Sequence, residues 1–88
     1  MQVARVIGHV VATIKEESLT GTPLLLLQPV SPAGEAVERA LVATDSVGAG
    51  LGEHVFFVRG TEAAFPFYPA RLPTDATVVG IVDRWDME

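Results

Sequence analysis

Gln2-Val3-Ala4-Arg5-Val6-Ile7-Gly8-His9-Val10-Val11-Ala12-Thr13-Ile14-Lys15 opens the chain and decides its fold class. After Gln2 the even positions are Ala4, Val6, Gly8, Val10, Ala12 and Ile14, all apolar or small. The odd positions, Val3, Arg5, Ile7, His9, Val11, Thr13 and Lys15, are mixed. Segregation with a period of two marks a β-strand with one face on a core and the other partly wet. The run is long against a usual strand of about 5–6 residues, so it predicts a strand that bends, at Gly8. Long bent strands that serve two sides of a sheet are how small barrels close.

The following segments extend the same pattern. Glu16 to Thr22 reads as a polar connection, with Gly21 free for a turn. In Leu24-Leu25-Leu26-Leu27-Gln28-Pro29-Val30 the two prolines, Pro23 and Pro29, bracket too few residues for a helix. A strand buried on both faces is the expectation there. Ser31 to Glu38, with Pro32 and Gly34, is a surface loop; Ala40 to Asp45 is a third strand and His54 to Arg59 a fourth. Between those two, Gly48, Gly50 and Gly52 alternate along Ser46 to Glu53, which rules out regular structure and asks for a tight backbone path. Thr61 to Ala64 has room for one helical turn, ended by Phe65-Pro66-Phe67-Tyr68-Pro69. Asp75 to Asp83 is the fifth strand. The sum is an all-β, five-stranded, partly open barrel of the oligonucleotide/oligosaccharide-binding (OB) type, in one domain over residues 1–88, with at most one short helix.

Composition adds a second expectation. The chain has 88 residues, near the small end of what folds alone, with room for one core and little for a deep pocket besides. Hydrophobic residues make up 49% and eight glycines come on top, more than the 45–50% or so that ordinary domains reach with glycine included. A small domain with an apolar excess buries part of its surface against neighbours, so an oligomer is expected. The net charge is −5, and the six basic residues are scattered singly, leaving no stripe for a nucleic-acid backbone or an anionic membrane. With no cysteine, disulfides, thiolate metal sites and cysteine nucleophiles are excluded. Val6 to Ile14 is too short to span a bilayer, and Lys15-Glu16-Glu17 stands where a signal peptide would need small residues. A cytoplasmic location is the default.

Candidate chemistry is thin. Gly48-Ala49-Gly50 begins a GxGxxG match, but Glu53 takes the last position and a strand, not a helix, follows. His9 and His54, with Asp45 or Glu53 nearby, lack any metal-ligand spacing. Ser18, Ser31 and Ser46 lack a nucleophile-elbow setting. No catalytic residue, cofactor or metal is therefore expected. Barrels of this type do bind single strands through aromatics in a basic groove, and a free-standing nucleic-acid module is the alternative reading. Against it, Phe56 and Phe57 face opposite sides of one strand, and Trp85 sits at an acidic terminus.

Four blocks resemble the EutN/CcmL family, the pentameric vertex proteins of bacterial microcompartment shells. They are Ala4 to Lys15; Gly21-Thr22-Pro23-Leu24-Leu25-Leu26-Leu27-Gln28-Pro29; Asp45-Ser46-Val47-Gly48-Ala49-Gly50-Leu51-Gly52-Glu53-His54-Val55; and Pro73-Thr74-Asp75-Ala76-Thr77-Val78-Val79-Gly80-Ile81-Val82-Asp83. Together they span nearly the whole chain in the family's order and spacing. One stretch departs: after Gly60 the family usually shows a small-residue turn, whereas Thr61-Glu62-Ala63-Ala64 here leads into the aromatic-proline segment.

The resemblance implies a small barrel, not an enzyme, whose copies close into a five-membered ring. It further implies that the ring caps the corners of a polyhedral shell in the cytoplasm, beside flat sheets of hexameric tiles. Such a ring needs two unlike, complementary patches on each subunit. Val3, Ile7 and Val11, on the outer face of the first strand, are candidates for one. Val47, Gly48, Ala49, Gly50, Leu51 and Gly52 are candidates for the loop at the ring axis, where identical backbones crowd. Phe65, Phe67 and Tyr68 either seat against an adjacent tile or cover a barrel end.

Overall fold

The computed structural model describes residues 1–11, 23–60 and 75–83. Five strands follow in order: β1 (Gln2–Val10), β2 (Leu24–Pro29), β3 (Leu41–Asp45), β4 (His54–Arg59) and β5 (Ala76–Ile81). They close into a barrel in the order β1-β2-β3-β5-β4, with β4 returning to β1. The barrel is thus fully closed, not partly open. Closure gives every strand a hydrogen-bonded neighbour on each side, which is how an all-β chain this small limits the backbone template it exposes. No α-helix occurs among the described residues, and none there is long and apolar enough to cross a membrane. Residues 12–22, 61–74 and 84–88, which hold the polar connection, the expected helical turn, Phe65, Phe67, Tyr68 and Trp85, lie outside the described residues.

The core follows from alternation. Ala4 and Val6 of β1, Leu25 and Leu27 of β2, Ala43 of β3, Val55 and Phe57 of β4, and Ala76 and Val78 of β5 point inward together. Ala49, from the glycine loop, joins this cluster. In β4 the inward residues Val55 and Phe57 alternate with the half-buried Phe56 and Val58, as the period-two reading expects. Phe56 lies on the outside across from Gly80, where an added Cβ would meet its ring edge at 3.6 Å.

Two further expectations need correction. Leu24 to Leu27 is not buried on both faces: Leu25 and Leu27 enter the core, while Leu24 and Leu26 stand half-buried on the outside. The reason is that a single barrel wall has only one interior side. The even-inward pattern of β1 also stops at Gly8. Pairing with β2 runs Ala4↔Pro29, Arg5↔Gln28, Val6↔Leu27 and then slips to Gly8↔Leu26 and Val10↔Leu24, a bulge with Ile7 as the extra residue. A one-residue slip exchanges the two faces. Beyond the bulge, Gly8 and Val10 therefore share the outer face with Leu26 and Leu24. The bend expected at Gly8 is present, and it takes this form.

Candidate assembly site

The glycine loop is the most highly organised irregular segment described. It leaves β3 at Asp45, a residue only 6% exposed, whose carboxylate faces back into the turn. The backbone N–H groups of Val47 and Gly48 donate to Asp45 Oδ1 at 2.9 and 3.0 Å, and that of Ala49 donates to Oδ2 at 2.9 Å. Asp is suited to this because its short side chain reaches the amides two to four residues ahead. The next amide, of Gly50, donates to Glu53 Oε1. Four successive N–H groups are thus held by two carboxylates, and hydrogen bonds to an ionised acceptor are the strong kind.

Both ends of the loop are tied to the barrel. Ser46 donates from its amide and its hydroxyl to the carbonyl of Val78 on β5, at 3.3 and 2.6 Å. At the far end, the Gly52 N–H donates to Val6 O at 2.8 Å and the Val6 N–H donates to Glu53 O at 2.9 Å. The loop therefore rides on β1 immediately before its bulge. Gly48 and Gly52 have φ of +79° and +85°, values that L side chains rarely adopt, so the path requires glycine at both. Gly50 has no left-handed φ, and its constraint is a softer one. A Cβ there would lie 3.2 Å from the Glu53 carboxylate. The intrasubunit geometry thus accounts for Gly48 and Gly52, and makes position 50 tight.

Consequences for chemistry are direct. A run of N–H groups converging in a glycine loop is the usual cradle for a phosphate, but here the chain's own Asp45 and Glu53 fill it. Asp45 is likewise committed to three amides and turned away from any ligand role. His9 stands exposed across from Leu25, and His54 lies across from Arg5 on the other ladder of β1. Among the described residues no group of three or more His, Asp or Glu side chains gathers.

What the loop does present is apolar. Val47 is 40% exposed and Leu51 66%, while Ala49 between them is buried in the core. Of the three candidates on β1, Val3 is half-buried beside Phe56 of β4, Ile7 is half-buried at the bulge, and Val11 is fully exposed just past the strand. The bulge also creates an outer apolar strip that the alternation concealed. Val10 and Leu24 pair on it, then Gly8, Leu26 and Val42, the last half exposed. Two features escaped the sequence reading: this strip and the anchoring role of Asp45. An Asp directly before a Ser and a glycine-rich turn is a signal that could have found the second.

Comparison with known proteins places this arrangement. The family profile described as "Ethanolamine utilisation protein EutN/carboxysome" matches residues 1–83. The carboxysome shell vertex protein CcmL of Gloeobacter violaceus is 46% identical over 83 residues, covering 94% of this chain and 83% of that one. The bacterial microcompartment shell vertex protein PduN of Salmonella typhimurium is 46% identical over 87 residues, covering 94% and 96%. Among solved structures, the pentameric microcompartment shell protein GrpN of Rhodospirillum rubrum superposes with a TM-score of 0.88 at 39% identity, over the full length of both chains. With its barrel, its blocks in order and this breadth of match, the chain belongs to the EutN/CcmL family.

Proposed function

We propose that this chain is a structural subunit that closes with copies of itself into a pentameric ring, and that the ring caps a vertex of a bacterial microcompartment shell in the cytoplasm. The observation that carries this reading is the full-length match to a pentameric shell protein, joined to relatives named as shell vertex proteins from carboxysomes and other microcompartments. Its work is geometric and not catalytic. The apolar material left on the outside of a closed barrel supports it, since Val42, Val47 and Leu51 stay exposed in the single subunit. Patches of that kind on a small domain are where partners sit.

Within this reading, Val47 to Gly52 approach the ring axis, and Val3, Ile7 and Val11 belong to the contact between neighbouring subunits. Flat hexameric shell tiles are the outer partners, with Phe65, Phe67 and Tyr68 as candidate contacts. The mass of the native assembly tests the proposal. Native mass spectrometry is expected to find five subunits, and a folded single subunit at high concentration would overturn it. Ile7→Glu should yield monomer or aggregate. Gly50→Leu should hinder ring formation, although its Cβ would also press on Glu53. A nucleic-acid module would instead bind single strands with a steep salt dependence.

A further inference from the structure

We infer that Asp45 is the positioning residue for assembly: its carboxylate sets the Val47 to Gly52 loop in its docking shape within the single subunit, before any neighbour arrives. The inference rests on the reading that this loop meets other subunits, and it adds the means by which the loop is made ready. The carboxylate is buried, and it accepts the amides of Val47, Gly48 and Ala49. Ser46 fixes the loop's entry on β5, and the reciprocal pair between Val6 and the Gly52–Glu53 segment fixes its exit on β1. Ala49 sits in the core, so the middle of the loop is pinned as well.

All of these contacts lie inside one chain, and together they hold Val47 and Leu51 outward on a frame with no free backbone donor from Val47 to Gly50. A loop that is ordered before contact does not charge its ordering entropy to association. Five identical contacts must also meet at one angle for a ring to close, so an error in loop shape would be repeated at every junction.

The test compares Asp45→Asn with the double variant Val47→Ser/Leu51→Ser. Ring and free subunit are measured by native mass spectrometry over a dilution series, with amide hydrogen exchange on the dissociated subunit. An Asn side chain keeps the shape and one accepting oxygen but loses the charge and sets an NH2 donor against the remaining loop amide, so Asp45→Asn should weaken ring formation by about tenfold or more. Exchange at Val47, Gly48 and Ala49 should rise while the amides of the β1–β2 ladder stay protected. That second readout is one a merely fold-stabilising residue would not give. In dilute wild-type protein the same three amides should already be protected. Free exchange there would overturn the proposal, and this measurement decides the matter even where Asp45→Asn does not fold. If the serine variant weakens the ring and Asp45→Asn does not, the positioning role fails and the placement of the loop stands. If neither affects assembly, the placement itself fails.

Discussion

The barrel is held shut in two different ways on its two flanks. Across β1 and β2, six residue pairs run antiparallel, and β2 sends Leu25 and Leu27 into the core. Across β3 and β5 the ladder is parallel and has two pairs, Thr44↔Thr77 and Asp45↔Val78. Hydroxyls make up for its shortness. Thr44 Oγ1 and Thr77 Oγ1 are 2.7 Å apart, Thr44 also donates to Ala76 O at 3.2 Å, and Ser46 extends the seam to Val78 O. One flank is sealed by burial along a long ladder, the other by buried polar contacts between residues more than thirty positions apart. The short seam is also the one that leads directly into the Asp45 loop. The barrel thus closes and the loop is anchored through one continuous set of hydrogen bonds.

This contrast can be tested by substitution, with chemical denaturation followed at a fixed protein concentration, because association adds to apparent stability. Leu27→Ala on the long flank should have the largest effect, a loss of about 2–5 kcal/mol, since a fully buried leucine leaves a cavity that a tight barrel cannot close. Thr44→Val on the short flank should cost about 1–3 kcal/mol, because the shape is kept while Thr77 and Ala76 O each lose a buried partner. If the threonine change costs more than the leucine change, the seam and not the core governs closure, and the ranking of the two flanks is reversed. The smallest effect should come from Glu38→Gln, which breaks the ion pair with Arg59 on the surface. A loss of less than about 1 kcal/mol, shrinking further in high salt, is expected at so exposed a site.

Some of this molecule is legible in its sequence. β4 spans the residues read for it, His54–Arg59, because Val55-Phe56-Phe57-Val58 stands between polar and glycine residues with no competing period. β5 is shorter than the Asp75 to Asp83 read from sequence, since its pairing ends where β4 ends. Leu24 to Leu27 could not declare its faces. Four identical side chains carry no period, and only the β1 and β3 partners decide which two turn inward. Gly8 announced a bend in β1, but the exchange of faces beyond it depends on a slip against β2. Asp45 was legible as a carboxylate beside a glycine loop, and its work was not. Which acceptor serves a set of amides is settled by where the turn folds back, and no spacing states that.

What could be read in one dimension is what neighbouring residues impose on each other: strand character from alternation, turns from glycine and proline, a small barrel from five short strands, and a family from four blocks in order. What required three dimensions is the pairing order β1-β2-β3-β5-β4, the outer strip made by Gly8, Val10, Leu24, Leu26 and Val42, and the carboxylate-filled loop. The division has a physical cause. Local conformation is set by sterics and hydrogen bonds a few residues apart, whereas the choice of partner strand and of inward face is a competition for burial among segments far apart in the chain.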